Sequence, residues 1–301
     1  MSFILALLKL PFVFLLEVIY FIFRCRPKKD IKNQHILITG AGQGIGAEFA
    51  RQFAAMGNTI HCVDIVEKLV ENVVEELKRD GHQAYSYTCD LTKHEQVQKL
   101  HDDIAGAGFI INMLVNNAGV AFGVSIQKMS LTQIQHSMMV NIVSNLWLIK
   151  LFMPKMLELN EGHIVNVASL AGYFPLRSST DYCAAKAGSI HTLNQLRMDH
   201  MGTNLKFSVV CPFFVNTKMI TGIDPSVAIS SVALVTKAIR GIRENKEVIP
   251  VPNMFRVLKV IQDIAPPYLM RALIVATSST NGADAEIDAK FVGQRMSEKV
   301  E

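Results

Sequence analysis

Seven short apolar, β-branched runs alternate with longer amphipathic segments along most of this 301-residue chain. Apolar residues follow one another within the runs, which is typical of strands buried on both faces of a parallel sheet. The segments between them have helical periodicity; in 65–79, apolar side chains from Val66 onward recur on one helix face. The alternation predicts an α/β fold with a doubly wound, mostly parallel sheet. The predicted strands are 35–39, 59–63, 84–88, 112–115, 163–167, 205–211 and 247–251.

A glycine-rich turn at residues 39–46 follows the first predicted strand. Gly40, Gly44 and Gly46 lack Cβ atoms, so the turn can be tight and can approach a pyrophosphate closely. The unpaired N–H groups at the start of the next helix would face that anion. The order of strand, glycine turn and helix predicts a Rossmann-type dinucleotide site, with Gln43 and Ile45 among its contacts.

Two carboxylates end the next two strands. Asp64 lies about 20 residues beyond the turn, where a carboxylate can accept hydrogen bonds from the adenosine ribose and would repel a 2′-phosphate. Its neighbours include no arginine, which favours NAD over NADP, although Lys68 is a nearby cation. The alternative for Asp64 is a helix N-cap. Asp90 is predicted either to meet the adenine amino group or to cap the following helix.

Four residues form a candidate proton-transfer site. Tyr182 and Lys186 are four apart, so a helix would place them on one face. The lysine ammonium and an oxidised nicotinamide would both favour the phenolate, which makes Tyr182 a candidate general acid/base. Ser169 ends the fifth strand, where it can orient a substrate oxygen. Asn141 can support Lys186 through a water molecule, or it can be an ordinary polar residue of a helix core contact.

These residues resemble the short-chain dehydrogenase/reductase family over about residues 33–250. Residues 39–46 look like its Thr-Gly-x-x-x-Gly-x-Gly cofactor loop, and residues 116–119 resemble its Asn-Asn-Ala-Gly element. The resemblance implies that Asn117 lines the adenosine side and that Lys186 holds the nicotinamide ribose. It also implies that Ser169 binds the substrate oxygen while Tyr182 transfers the proton. The implied catalytic residues are Asn141, Ser169, Tyr182 and Lys186.

The loop after the sixth strand departs from the Pro-Gly of many family members, because Phe213 follows Pro212. Its Cys-Pro-x-Phe-Val-Asn-Thr sequence, together with the apolar N-terminus, is similar to that of a narrower branch of the family. That branch holds epidermal-type retinol dehydrogenases and lipid-droplet 17-beta-hydroxysteroid dehydrogenases. The resemblance implies that Thr217 contacts the nicotinamide carboxamide, and we assign Phe213 and Phe214 to substrate binding.

Residues 1–23 are built mainly of Leu, Ile, Val and Phe, and five cations follow within 24–32. A secretory signal would have the reverse charge order, so we interpret residues 1–32 as a retained membrane anchor with a basic flank. Whether it spans the bilayer or inserts shallowly stays open, because Lys9, Pro11 and Glu17 interrupt it; a buried helix is the alternative. Residues 33–277 form the predicted catalytic domain, and residues 278–301 a mobile C-terminal tail.

The composition of the chain limits the classes of molecule that it is expected to bind. The formal charge of +4 sits largely in the basic flank, which argues against nucleic-acid binding. Five cysteines without a Cys-x-x-Cys pair argue against a disulfide framework and against a metal site, and they fit a body facing the cytosol. We expect residence on the endoplasmic reticulum membrane, on lipid droplets, or on both.

The apolar character of the predicted pocket favours a lipophilic alcohol or carbonyl substrate such as a retinoid, a steroid or a long-chain alcohol. Residues 253–274 are also apolar and are a candidate second membrane contact, lid or dimer surface, so a homodimer stays open. The rival function is a catalytically idle NAD-binding scaffold on membranes or lipid droplets. The complete four-residue site favours the enzyme, because a scaffold has no need of proton transfer.

Overall fold

One parallel sheet of seven strands forms the centre of the described part of the chain, which is residues 28–215 and 228–253 of a computed structural model. The strands are β1 (His35–Thr39), β2 (Thr59–Asp64), β3 (Ala84–Thr88), β4 (Met113–Asn116), β5 (His163–Val167), β6 (Lys206–Pro212) and β7 (Val248–Val251). Their order is β3-β2-β1-β4-β5-β6-β7, and all six pairings are parallel. The order reverses between β1 and β4, which opens a crevice at their carboxyl ends, the edge where such sheets bind ligands.

Helices cover both faces of the sheet. They are α1 (Gly44–Ala54), α2 (Glu67–Arg79), α3 (His94–Gly106), α4 (Leu131–Met138), α5 (Ser144–Glu158), α6 (Thr180–Asp199) and α7 (Ser231–Arg243). Side chains of α1, α2 and α7 share one buried cluster with the sheet. The helices α3 and α5 pack together, and α6 packs on β5 and β6. The predicted doubly wound fold is confirmed.

All seven predicted strands are present, with bounds within one residue of the prediction. The predicted helix at 65–79 is two residues too long at its start, because α2 begins at Glu67. The Asp64 carboxylate accepts the Val66 N–H at 3.0 Å, which holds Ile65 and Val66 in a turn before the helix. Both apolar residues are exposed, so the prediction that Val66 lies on the buried helix face is wrong.

The segment Leu131–Glu158 is one continuous helical stretch with an irregular centre. Five residues between α4 and α5, Met139–Val143, are a π-helix. The stretch is long and apolar enough to cross a membrane by length and composition. Within it, Leu148 and Ile149 are buried in the domain, while Leu131 and Leu146 are exposed.

The amino edge of the sheet holds a buried polar chain. Lys29 Nζ donates to Nδ1 of His163 at 2.9 Å, and Nε2 of His163 lies 2.8 Å from Oγ of Ser208. Ser208 in turn donates to the carbonyl of Lys246 at 2.6 Å. Burial, followed by the nearby lysines, holds the pKa of His163 well below its usual value, so His163 is neutral and can accept from Lys29.

Several predictions fall outside the described residues. The anchor residues 1–27, most of the apolar segment 253–274 and the predicted tail 278–301 are among them. A compact unit of the chain ends at Val251. The domain boundaries at 32 and 277 therefore stay predictions.

Candidate active site

The glycine turn between β1 and α1 lies at the carboxyl edge of the sheet. Gly40 and Gly44 have φ of 62° and 58°, in the left-handed region that favours glycine. A Cβ on Gly46 would lie 2.1 Å from the Gly40 carbonyl oxygen, so only glycine lets α1 start this close to the turn. Gln43 is the N-cap residue of α1 but makes no side-chain cap bond, and the first turn contains no acidic residue. Ile45 packs against the core. The amides at this helix start therefore fit an anionic pyrophosphate.

Asp64 braces this turn. Its Oδ2 accepts the Gly42 N–H at 2.9 Å, and a Cβ on Gly42 would lie 2.9 Å from the same oxygen. Asp64 is not the N-cap of α2, because that position is Val66. The carboxylate thus lies beside the glycine turn, as the ribose interpretation requires, and it also fixes the turn's shape.

The turn is held from its other side by residues that follow β4. The buried Thr39 hydroxyl accepts the N–H groups of Asn117 and Ala118, each at 3.0 Å. The Asn117 side-chain amide donates to the carbonyls of Thr39 and Gly40 at 2.9 and 3.2 Å. Asn117 therefore links the ends of β1 and β4, and its side-chain amide is hydrogen-bonded to the backbone of the turn.

Asp90 follows β3 and closes a local turn. Its Oδ1 accepts both the backbone N–H and the hydroxyl of Thr92, at 2.9 and 2.7 Å. Burial alone would raise the pKa of Asp90, but the hydrogen bonds from Thr92 and the charge of Lys93 prevail and lower it. The N-cap residue of α3 is Lys93, so Asp90 stabilises the turn before the helix without capping it.

Ser169, Tyr182 and Lys186 come together at the carboxyl end of β5. A hydrogen bond joins the hydroxyls of Tyr182 and Ser169. Oγ of Ser169 already accepts the Ala171 N–H at 3.1 Å, so its own proton is available to the phenol oxygen. Lys186 is buried, its Nζ donates to the Val167 carbonyl at 3.0 Å, and it lies 5.6 Å from the centre of the Tyr182 ring.

In the protein by itself, burial and the hydrogen bond from Ser169, rather than the charge of Lys186, have the largest effects on the pKa of Tyr182. Burial raises the pKa of Tyr182, and the Ser169 hydrogen bond opposes it only in part. Burial also lowers the pKa of Lys186 to about 8, so the lysine holds its charge weakly near neutral pH. The reason is geometric: both groups lie in a low-dielectric site, and the ammonium points to Val167 rather than to the phenol oxygen.

Asn141 lies within the π-helix and is fully buried. Its side-chain amide donates to the Val120 carbonyl at 2.8 Å and to the Ser137 carbonyl at 3.0 Å, while its oxygen accepts the Val120 N–H at 3.2 Å. A Cβ on Gly119 would lie 2.9 Å from that oxygen and 3.4 Å from Lys186 Nζ. Asn141 and Lys186 therefore share a neighbourhood, with Asn141 holding the loop that separates the glycine turn from Tyr182.

Sequence reasoning missed one member of this arrangement. Asn145 is buried, and its side-chain amide donates to the Asn141 carbonyl at 3.2 Å. Nothing in the sequence marks it except a polar residue four positions after Asn141 in an apolar stretch. The π-helix has no signal in side-chain periodicity, so its hydrogen bonds could not be predicted either.

Phe213 and Phe214 follow β6 at the same edge, with ring centroids 4.5 Å apart. The backbone anchors both: Phe213 N–H donates to the Val251 carbonyl at 2.9 Å, and the Phe214 carbonyl accepts the Ile229 N–H at 3.0 Å. The next predicted contact, Thr217, lies outside the described residues. Cys211 is buried near Lys186, and burial raises the pKa of its thiol to about 12.

The comparisons with known proteins point to one family. The sequence pattern described as short chain dehydrogenase matches residues 34–227. Estradiol 17-beta-dehydrogenase 11 of Mus musculus is 30% identical over 277 residues, which cover 90% of this chain and 92% of that protein. Epidermal retinol dehydrogenase 2 of Mus musculus is 32% identical over 212 residues, covering 69% and 68%.

A solved structure shares the fold. A short chain dehydrogenase/reductase from Burkholderia phymatum in complex with NAD matches with a TM-score of 0.71 at 22% identity, covering 84% of this chain and 99% of that one. The family pattern spans more than half of this chain, and it includes both the glycine turn and Tyr182. This chain therefore belongs to the short-chain dehydrogenase/reductase family and is a nicotinamide-dependent oxidoreductase acting on CH–OH donors.

Proposed function

We propose that this chain moves a hydride between NAD and a lipophilic alcohol or carbonyl compound, such as retinol, a hydroxysteroid or a long-chain alcohol. The observation that carries the proposal is the hydrogen-bonded pair of Tyr182 and Ser169 at the carboxyl edge, with buried Lys186 beside the ring. A nicotinamide cofactor supplies or accepts the hydride when bound. Tyr182 then gives or takes the proton at its hydroxyl, and Ser169 orients the substrate oxygen.

Lys186 and Asn141 have supporting roles in this proposal. Lys186 would hold the nicotinamide ribose, and its amine would relay the proton of Tyr182. Asn141 would keep the Val120 backbone in place, since it bonds both the N–H and the carbonyl of that residue. The remaining proposed cofactor contacts are Gly40, Gln43, Gly44, Ile45, Gly46, Asp64, Asp90, Asn117 and Thr217.

The lipophilic substrate is supported from two sides. The relatives named above are dehydrogenases of estradiol and of retinol, both lipophilic alcohols. The side chains proposed to bind substrate beyond Ser169 are the apolar Phe213 and Phe214, which suit an apolar molecule better than a sugar or an acid.

The apolar stretch at 1–23 supports a location on the endoplasmic reticulum membrane or on lipid droplets, with the body in the cytosol.

The experiment that tests this function is turnover by the full chain in membranes. Retinol, estradiol and a long-chain alcohol are each supplied with NAD, and NADH formation is followed. Replacement Tyr182→Phe is expected to lower kcat by about 10²- to 10⁴-fold with little change in NADH affinity, because the ring stays and the proton is lost. Tyr85→Phe, at the far edge strand, is the matched control and should keep full activity.

The rival scaffold has a distinct outcome in the same experiment. Measurable NADH binding without NADH formation from any lipid alcohol would favour a scaffold. Retained activity in Tyr182→Phe would remove Tyr182 as the acid/base and leave the reaction class standing.

The preference for NAD is proposed from Asp64. Its negative charge beside the glycine turn would repel the 2′-phosphate of NADP. Because Asp64 also braces the turn through Gly42, Asp64→Asn is the sharper change: it keeps an oxygen acceptor and removes the charge. We expect the ratio of NAD to NADP affinity to fall by about tenfold, measured by fluorescence titration of both cofactors. An unchanged ratio would leave Asp64 as a brace alone.

A further inference from the structure

A chain of three buried polar side chains joins the sheet to α6. The side-chain amide of Asn116 donates to Oδ1 of Asn166 at 2.9 Å, because the two residues are directly paired in β4 and β5. The side-chain amide of Asn166 in turn donates to the carbonyl of Ser189 at 3.2 Å and to its hydroxyl at 3.1 Å. Each of the three residues is at most 1% exposed. This chain, named here the asparagine link, therefore connects two strands to the helix that holds Tyr182.

The half of α6 that holds the site has little apolar packing of its own. Its buried side chains are small or polar: Asp181, Ala185, Lys186 and Ser189. The large apolar side chains that α6 buries, Ile190 and Leu193, follow in its second half. Apolar burial is non-directional in any case, whereas a hydrogen bond constrains both distance and angle. The position of this half of α6 on the sheet therefore depends on its polar bonds.

Two consecutive residues of β5 supply those bonds. Asn166 donates to Ser189, and the carbonyl of Val167 accepts Nζ of Lys186 at 3.0 Å. Lys186 and Ser189 are three residues apart, so they are neighbours on the face of α6 that is turned to the strand. The two bonds together fix how far along β5 the helix lies and how it is rotated.

Ser169 and Tyr182 depend on this alignment. Ser169 follows Val167 by two residues at the end of β5, and Tyr182 lies one helical turn before Lys186. The helix backbone also lies close to the loop after Ser169, because a Cβ on Gly172 would lie 2.9 Å from the Lys186 carbonyl oxygen. A displacement or rotation of α6 on β5 would therefore separate the two hydroxyls of the site.

Stability alone does not account for the asparagine link. Oδ1 of Asn116 is buried and has no hydrogen-bond partner among the described residues, which is unfavourable. Replacing both members of a buried polar pair by apolar groups of the same shape is often neutral or stabilising. An apolar pair would fill the same space but would not fix the position of α6.

We propose that Asn166 is a positioning residue for the reaction: its bonds to Ser189 hold α6 where the Tyr182 hydroxyl meets that of Ser169. The inference rests on the proposed roles of Tyr182 and Ser169, and it adds what keeps them together. Asn166 is fully buried, so it acts through α6 and not on the substrate directly.

The test is the double change Asn116→Leu with Asn166→Leu, which replaces the bonded pair by apolar side chains of the same branched shape. The full chain in membranes is supplied with NAD and with whichever of retinol, estradiol or a long-chain alcohol the wild type oxidises fastest. We expect kcat to fall about tenfold with little change in KM, because the reacting groups are misplaced while the substrate contacts at Phe213 and Phe214 remain. The free energy of unfolding should stay at the wild-type value or rise.

The pH profile separates positioning from a general loss of structure. The hydrogen bond from Ser169 lowers the pKa of Tyr182, so losing it raises that pKa. Alcohol oxidation needs the phenolate, and the rising limb of kcat against pH should therefore move to higher pH in the double variant. The neighbouring titratable groups Cys183 and Lys186 are the same in every variant.

Asn58→Leu is the matched control. Asn58 is 3% exposed, and its side-chain amide donates to the Phe53 carbonyl of α1 at 2.9 Å, much as Asn166 bonds α6. The control should lower the free energy of unfolding and leave the pH limb where the wild type has it. A double variant with wild-type kcat and limb, or a control whose limb moves as far, would overturn the proposal.

Two further measurements cover the remaining outcomes. If the double variant does not fold, Ser189→Ala decides: removing the hydroxyl acceptor should move the limb in the same direction by less, and an unmoved limb would overturn the proposal. If no chain, wild type included, forms NADH, the proposed function fails and hydrogen exchange decides. The amides of residues 184–193 should then exchange about tenfold faster in the double variant, and unchanged rates would contradict the role of Asn166.

Discussion

Burial shifts both central groups of the candidate site toward their uncharged forms. It raises the pKa of Tyr182 and lowers that of Lys186 to about 8. The phenol therefore keeps its proton at neutral pH in the protein by itself, and the carbonyl-reducing direction begins with the acid already in place. Alcohol oxidation needs that proton removed, and the positive charge of an oxidised nicotinamide, when bound, would favour the phenolate of Tyr182.

Lys186 also costs stability, because an ammonium is buried with one carbonyl partner. Its pKa is about 8 in the folded protein against 10.5 for an unperturbed lysine. The unfolded chain therefore holds the proton more tightly, and the penalty is full below about pH 8 and vanishes as pH rises toward 10.5.

We expect Lys186→Met to abolish turnover while raising the free energy of unfolding by about 1–3 kcal/mol at pH 7. Urea unfolding at pH 7 and at pH 10 checks this, since the gain should shrink at the higher pH. A loss of stability at pH 7 would mean that the bond to Val167 outweighs the cost of burial.

At the scale of elements, the close packing of the glycine turn against α1 requires glycine, because a side chain would have no room there. A Cβ on Gly46 would overlap the backbone of Gly40, and a backbone carbonyl cannot move aside as a side chain can. By contrast, a Cβ on Gly106, the last residue of α3, would meet nothing within 4 Å.

Gly46→Ala is expected to remove cofactor binding and to lower the free energy of unfolding by about 1–3 kcal/mol. Gly106→Ala is the matched control and should be neutral or stabilising by up to about 1 kcal/mol. Calorimetric titration with NADH and thermal unfolding measure the two effects. Equal behaviour of the two variants would contradict the close approach of α1 to the turn.

Most of the secondary-structure elements and three of the site residues could be predicted from the sequence. The strands were predicted closely because buried parallel strands contain runs of apolar residues between polar turns, as in residues 36–38 of β1. Ser169, Tyr182 and Lys186 were predicted together because strand ends and helix spacing are readable from sequence. The π-helix and the bond from Asn145 to Asn141 were not, because they depend on backbone hydrogen bonding. The raised pKa of Tyr182 in the protein by itself was not predicted, because burial depth is a tertiary property.

Across the whole molecule, buried histidines make the fold sensitive to acid. His61 is fully buried in β2, with its two ring nitrogens 3.0 Å from Nδ1 of His35 and 3.1 Å from the Tyr87 hydroxyl. Burial, and then His35, lower its pKa to about 3. The unfolded chain binds the proton near pH 6.5, so this stability is present above that pH and is lost as pH falls toward 3.

We expect the free energy of unfolding to fall by about 1–2 kcal/mol between pH 7 and pH 5 on account of His61. His61→Gln, which keeps a donor and an acceptor without titrating in this range, should flatten that slope. His94→Gln, whose side chain is 70% exposed, should leave it unchanged. Denaturant midpoints across this pH range decide it; His35 and His163, whose pKa values burial also lowers, contribute slope in both variants.

The hydrogen bond between Lys29 and His163 has a practical consequence for producing this enzyme. The residues just after the apolar N-terminal stretch are part of the body, because Lys29 also bonds the Arg243 carbonyl through its backbone and Ile31 is buried in the core. A shortened version made for crystallisation should therefore begin no later than Lys28. A chain that begins at β1 would lack Lys29, and the buried imidazole of His163 at the amino edge of the sheet would lose its hydrogen-bond donor.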